Sequence, residues 1–332
     1  MTARARVPAS SSNLGSGFDC IGVAIDRWLV ASVTCAAETR GGGGGGGGIT
    51  VRRHGRLTAV SVPADEDLLV RGFRAACASA RVPAPGGGAI IDAASDIPVG
   101  CGLGSSAAAI VAGVLLAGAA LELNLTRQQV VEIATAIEGH PDNVAPAVYG
   151  GAVLSVRTST GGGLVSTSLN VAADIELLIA VPPFPSDTKA ARALLPKTLP
   201  HADAVLAASR AAALVQGLAT GDGALLSAAL DDVLHVPFRR ARIPGYDAVV
   251  AAAQNAGAFG ATLSGAGSAI LAIAPRERSA AVGAAMIAAW REIRVEAELI
   301  TCTSNVAGAA VIAATHDVRR TTHDSTVIKE LL

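Results

Sequence analysis

Lysine is almost absent from this chain. Lys189, Lys197 and Lys329 are its only lysines in 332 residues. None lies near the glycine-rich stretch of residues 97–106, so a phosphate-gripping lysine of the GxxxxGK[ST] type is excluded. The glycines of that stretch run GxGxG followed by two serines, which is not the dinucleotide fingerprint GxGxxG. The five cysteines, Cys20, Cys35, Cys77, Cys101 and Cys302, show no CxxC spacing, which indicates neither a zinc site nor a disulfide framework. Neither sign of charge is in excess: 26 basic and 27 acidic residues leave a net charge of −1. No field for nucleic acid or a membrane surface follows from that balance. The opening MTARARVPASSSN lacks the apolar core of a signal peptide, and the most apolar run, residues 107–121, falls short of a membrane span. The expectation is a soluble cytoplasmic protein without nucleic-acid or membrane partners. Aromatic residues make up only 3%, so a core must be packed from small aliphatic side chains.

What is present centres on IPVGCGLGSSAAAIVAGVLLAGAALE, residues 97–122. Glycines let the backbone curl and bring main-chain N–H groups against a ligand. Ser105 or Ser106 is a natural N-cap for the Ala-rich helix that follows, and the start of such a helix favours an anion. The stretch reads as a phosphate cradle. With no lysine nearby, the phosphate charge must be met by backbone amides, hydroxyls, arginine or a metal.

Around the cradle, residues 4–12 read as a strand entering a turn at 10–17, and 18–39 continue a β-rich opening. The eight glycines at 41–48 suggest a flexible hairpin loop. Residues 49–62 read as strand and turn, 67–80 as a helix and 89–92 as a strand. Thr126 looks like the N-cap of a helix over 127–138, with Val130, Ile133, Ala134 and Ile137 on one face. That helix runs into Gly139 and Pro141, both stop signals. Glu138 therefore sits at the negative helix end, where a carboxylate is disfavoured unless a cation offsets it. Glu is a hard oxygen ligand, and Mg²⁺ is usually held by one or two carboxylates together with substrate phosphates. Strands over 152–156 and 164–169 close a first domain, and a strand over 175–181 opens a second. Helices follow at 202–219, 224–230, 246–256 and 276–290, with strand-like runs at 262–273, 294–301 and 308–312. The irregular alternation suggests α+β rather than a doubly wound sheet. The expected division is 1–170, 171–314 and a polar tail over 315–332.

PxGxGLGSSAA (residues 98–108), N-x-G-x-G-F-D (13–19) and SGAGS (264–268) resemble, at three separated places, the motifs of the GHMP small-molecule kinases. Within that superfamily EGHPDNVAPA (138–147), HxPFR (235–239) ahead of IPG, and a Thr four residues before an Arg (Thr188, Arg192) look like the homoserine kinase branch. The resemblance implies a two-domain fold: an N-terminal domain like ribosomal protein S5 domain 2 and a C-terminal ferredoxin-like α/β sandwich. It implies Mg-assisted transfer of the γ-phosphoryl group of ATP to the side-chain hydroxyl of L-homoserine, a step of threonine biosynthesis, in an enzyme of commonly dimeric assembly. Carried over, Pro98, Gly100, Cys101, Gly102, Leu103, Gly104, Ser105, Ser106, Ala107 and Ala108 hold the nucleotide, with Ser106 and Glu138 on Mg²⁺. Asn13, Asp19, His140, Asn143, Arg192, Arg239 and Gly265 line the amino-acid pocket. Glu138, Ser106, Thr188 and Asn143 form the catalytic set. The residue types agree: an amino acid needs an arginine fork for its carboxylate and an acid, such as Asp19, for its ammonium. No general base is assigned: Asp19 is engaged with the ammonium group in this reading, His140 is a second candidate, and the resemblance implies an enzyme without an obvious base, the hydroxyl passing its proton to the phosphate. The family's D-N-L-V segment near the adenine here reads Asp67-Leu68-Leu69-Val70. Two alternatives are a GHMP kinase for another small alcohol and a non-catalytic metabolite-binding regulator of the same fold.

Overall fold

The computed structural model describes residues 1–36, 47–158, 163–302 and 305–312. The first lobe is built on β2 (Gly17–Cys35), a 19-residue strand that pairs along its length with β1 (Thr2–Asn13). The far half of β2 pairs with β4 (Gly87–Ser95), and the near half with β5 (Ala152–Arg157), which pairs in turn with β6 (Leu164–Leu169). The β1–β2 register shifts after Pro8, which faces Trp28 while Ala9 faces Ile25. Proline has no N–H for the ladder, and a bulge opposite it absorbs the gap.

Behind this sheet lie α1 (Leu68–Ala80), α2 (Ser105–Ala120), α3 (Arg127–Glu138) and α4 (Val144–Tyr149). Helix α2 is buried on most of its circumference, consistent with its unbroken apolar sequence. Its small residues bring α1 close. A Cβ on Gly113 would stand 2.1 Å from the Leu69 carbonyl oxygen, and one on Gly72 would stand 2.2 Å from that of Ile110. Thr126 caps α3 as expected, in a reciprocal capping box with Gln129.

The second sheet runs β10-β7-β9-β8, all antiparallel, from β7 (Ile175–Val181), β8 (Gly260–Leu263), β9 (Ile270–Pro275) and β10 (Glu298–Cys302). Alternation along β7 splits its side chains between two cores. Leu178 and Ala180 join Trp290, Met286 and Val249 under α9 (Tyr246–Asn255) and α10 (Ser279–Glu292). Leu177 and Ile179 join Leu214, Leu218 and Leu226 of α6 (His201–Thr220) and α7 (Gly223–Leu230), in a core continuous with the first lobe. Two short helices, α5 (Thr188–Ala193) and α8 (Val236–Arg239), lie between the lobes.

Two expectations change. The glycine run does not close a hairpin: β3 (Gly47–Gly55) pairs in parallel with β4 and not with β2. Residues 41–46, like 159–162 and the tail beyond 312, lie outside the described residues. The last described strand, β11 (Ala310–Ile312), pairs antiparallel with β1, so it belongs to the first sheet rather than completing the second. Edge pairing of this kind leaves no signal in local composition. The α+β class and the two-sheet arrangement agree with the reading of the sequence.

Candidate active site

A cleft of about 330 Å³ opens between the lobes. Its floor is the glycine loop. Gly100, Gly102 and Gly104 all have positive φ, at 73°, 81° and 64°. A Cβ on Gly102 would lie 2.1 Å from the Ser264 carbonyl oxygen, and one on Gly104 would lie 2.1 Å from Ser10 Oγ. Only glycine fits here. The loop's carbonyls are tied down by neighbours: Leu103 O accepts from the Ser10 amide at 3.2 Å, Gly102 O from Ser264 Oγ at 2.6 Å, and Cys101 O from the Ala269 amide at 3.1 Å.

Helix α2 starts without a side-chain cap. Its N-cap is Gly104, in the left-handed conformation, and Ser105 is already helical. The expected capping role of Ser105 or Ser106 is therefore corrected. Ser106 instead donates to Glu138 Oε1 at 2.5 Å, so the first-turn amides keep their capacity for an anion. Gly100, Gly102, Gly104, Ser105 and Ser106 line the cleft. Pro98, Cys101, Leu103, Ala107 and Ala108 turn their side chains into the protein and can offer a ligand only main-chain groups.

Glu138 ends α3 with Gly139 as a left-handed C-cap. Burial pushes its carboxyl above the usual range, against the Ser106 hydrogen bond and the charge of His140. A half-buried carboxylate at a negative helix end, joined to a hydroxyl and facing a cleft, is a fitting oxygen donor set for a hard divalent cation.

The segment after α3 folds back toward β1. His140 Nδ1 is 2.5 Å from Asp142 Oδ1, and Asp142 is almost wholly buried with Oδ2 unpartnered among the described residues. Burial alone would lower the His140 pKa; the Asp142 hydrogen bond and nearby negative charges outweigh it and raise it. Asn143 accepts from Ser10 Oγ at 2.9 Å and donates to Ser12 Oγ at 3.0 Å, which braces the cradle against β1.

Opposite, Asn13 holds two chain segments: Oδ1 accepts the Asp19 amide at 3.0 Å and Nδ2 donates to Gly265 O at 3.0 Å. Asp19 is gripped by both terminal nitrogens of Arg192, at 2.7 and 2.9 Å. Burial raises the Asp19 carboxyl, but Arg192, His140 and Arg239 together hold it below the usual range. Arg239 is 2% exposed, and among the described residues no carboxylate lies within ion-pair distance of it. Its long contacts go to Ala191 O and Gly265 O at 3.4 Å and to His235 Nδ1 at 3.3 Å. Burial first, then repulsion by Arg192, lowers its pKa. His235, fully buried, stacks on Phe18 at 5.1 Å and has Nε2 3.2 Å from Gly15 O. That contact places the ring proton on Nε2 and leaves Nδ1 to accept from Arg239. Asp232 caps α8 by accepting the amides of Leu234, His235 and Val236.

All the remaining expected residues, Thr188 and Gly265 included, line the same cleft. Sequence reasoning missed Asp142, which lies inside the HPDN run, and the three serines of β1, whose burial in a strand signals a polar support. It also missed His235 as the partner of Arg239. At the cleft's other end Leu57, Val60, Val62, Leu68 and Val99 form an apolar wall beside Arg53 and Glu66. There Asp67 caps α1 through the Leu69 and Val70 amides and pairs with Arg53.

The GHMP kinases N terminal domain matches residues 68–151, and the GHMP kinases C terminal domain matches residues 213–292. A homoserine kinase of Trichormus variabilis is 39% identical over 305 residues, 92% of this chain and 97% of that protein. One of a Nostoc species is 40% identical over the same shares. The crystal structure of homoserine kinase from Cytophaga hutchinsonii superposes with a TM-score of 0.81 at 29% identity, covering 94% of this chain and 97% of that one. Mevalonate kinase of L. major, at 18% identity and a TM-score of 0.63, shares the fold. No helix among the described residues is long and apolar enough to cross a membrane. On this likeness over nearly its whole length, the chain belongs to the homoserine kinase family of the GHMP kinases.

Proposed function

We propose that the protein transfers the γ-phosphoryl group of ATP to the side-chain hydroxyl of L-homoserine. One observation carries the reading: a single cleft holds an uncapped helix start beside the Ser106–Glu138 pair and, across from it, Asp19, Arg192 and Arg239. The first suits a triphosphate, the second an amino acid with both of its charges.

Phosphoryl transfer passes through a loose transition state and is catalysed mainly by positioning and charge stabilisation. Main-chain amides at the start of α2 donate to phosphate oxygens, worth a few kcal/mol per well-placed donor, roughly 3. Glu138 and the Ser106 hydroxyl are the residues to hold Mg²⁺, which when bound neutralises phosphate charge. Arg239, preformed and without a carboxylate partner among the described residues, receives the substrate carboxylate; Asp19 receives the ammonium. Thr188, at the first turn of α5, faces the reacting hydroxyl, and Asn143 keeps β1 and the cradle in register. His140, drawn toward its protonated form by Asp142, is better suited to donate a hydrogen bond than to take the hydroxyl proton, so that proton passes to the phosphate.

The test is a coupled ADP-release assay with L-homoserine, L-serine, L-threonine and mevalonate. L-Homoserine is expected to give the highest kcat/KM. A preference for mevalonate, which has no ammonium for Asp19, contradicts the reading.

A further inference from the structure

Two of the three charged groups that would hold an amino acid already hold each other. Asp19, on β2 of the first lobe, and Arg192, on α5 beside the second, form a two-pronged ion pair at 2.7 and 2.9 Å across the cleft. Arg239 has no such partner among the described residues and sits buried next to them; both arginines lie near the face of Phe18, with guanidinium carbons 5.6 and 5.4 Å from the ring centre. Asp142, whose carboxylate lies within 4.8 Å of that of Asp19, is held by His140 Nδ1 at 2.5 Å, so an incoming ligand meets one vacant cation and anions that are already taken.

We infer that the Asp19–Arg192 pair is a charge filter that opens fully only to a zwitterion. The inference rests on the proposed function and concerns the selectivity of that same site. A ligand ammonium must take Asp19 from Arg192, and the released guanidinium then needs a new anion. A ligand bearing its own carboxylate supplies it, shared between Arg192 and Arg239, so the exchange leaves every charge paired. An amino alcohol lacking the carboxylate strands Arg192 beside Arg239, with the neighbouring Asp142 carboxylate already held by His140. A hydroxy acid lacking the amine meets Arg239 and leaves the Asp19–Arg192 pair closed. The filter is thus asymmetric: it penalises a lone ammonium more than a lone carboxylate. Arg192 acts as the specificity-determining residue because it competes for Asp19, besides any contact it makes with substrate.

Calorimetry on the full-length protein separates this from a plain carboxylate-binding role. The probes are 4-hydroxybutanoate and 3-amino-1-propanol, each tested on wild type and on Arg192→Met. In wild type the amino alcohol is expected to bind about fivefold more weakly than the hydroxy acid, the worth of one partly exposed two-pronged pair. In Arg192→Met, Asp19 is free, and the amino alcohol is expected to tighten about fivefold while L-homoserine weakens. Arg192→Lys keeps the charge but loses the fork, and is expected to tighten the amino alcohol about twofold. If Arg192 served only the carboxylate, its removal would leave the amino alcohol's affinity unchanged; unchanged or weaker binding in both variants overturns the inference. An unaltered melting curve shows that a variant is folded, and should Arg192→Met not fold, Arg192→Lys decides alone. Failure of the underlying function has a separate signature, since wild type would then not phosphorylate L-homoserine at all.

Discussion

Replacing Arg239 by methionine is expected to leave the free protein about as stable as before and nearly useless to its substrate. The guanidinium is 2% exposed and lacks a carboxylate partner among the described residues. Holding an ion out of water costs several kcal/mol even after relaxation, roughly 3 or more. Against this stand three contacts at 3.3–3.4 Å, to Ala191 O, His235 Nδ1 and Gly265 O. At that length each is worth at most about 1 kcal/mol, and Gly265 O keeps a second donor in Asn13 Nδ2. His235 Nδ1 loses its donor among the described residues, at a cost of about 1 kcal/mol. Methionine fills similar volume without charge. The two sides cancel to within about 1 kcal/mol, so the variant's Tm without substrate should stay within about 2 °C of wild type. Loss of a charge-assisted carboxylate contact, meanwhile, should raise the homoserine KM about 10- to 150-fold. Urea melts without substrate and steady-state kinetics read the two effects separately. A variant that loses about 3 kcal/mol or more without substrate and keeps its KM would refute the idea of a preformed carboxylate receptor.

Other perturbations reach different parts of the cleft. Glu138→Gln is expected to lower kcat at least about 100-fold while homoserine binding by calorimetry stays within a factor of two, about the error of such a comparison. Gly104→Ala forces a Cβ within 2.1 Å of Ser10 Oγ at a φ of 64°; it should cost about 1–3 kcal/mol in urea melts and weaken ATP binding, because the start of α2 must shift. Glu298 joins the lobes through Arg27 at 2.9 Å and Arg56 at 2.8 Å. Burial raises its pKa, but these two arginines lower it further, to below its ordinary value. The stabilisation is therefore present above the unfolded-state pKa and lost as pH falls through the lower, folded one. Glu298→Gln should cost about 0.5–1 kcal/mol at pH 7, and the difference from wild type should vanish in melts run in acid below the usual carboxylate range.

Local chemistry was legible in the chain. The glycine loop, the Ala-rich helix after it, the Thr126 cap and the placing of Glu138 at a helix end all depend on residues within one or two turns of each other, and each is found. The separate motifs also converge on one cleft. What could not be read were partners distant in sequence. That β3 pairs with β4 instead of β2, and that β11 returns to β1, is decided by which sheet edge is open after the core has formed. Ser106 reads as a cap from its neighbours, but Glu138, 32 residues on, claims its hydroxyl. The Asp19–Arg192 pair spans 173 residues. Asp142 shares a motif with His140 and Asn143, yet nothing in the spelling says that it is buried beneath the imidazole.

In the proposed reaction this cleft brings the end of a nucleotide triphosphate to the hydroxyl of a zwitterionic amino acid. Phosphorus NMR of the product after incubation with ATP, magnesium and L-homoserine tests it directly. A phosphomonoester signal split by coupling to the side-chain methylene protons is expected, appearing in step with ADP. Release of ADP with inorganic phosphate alone, or no turnover at all, would contradict it.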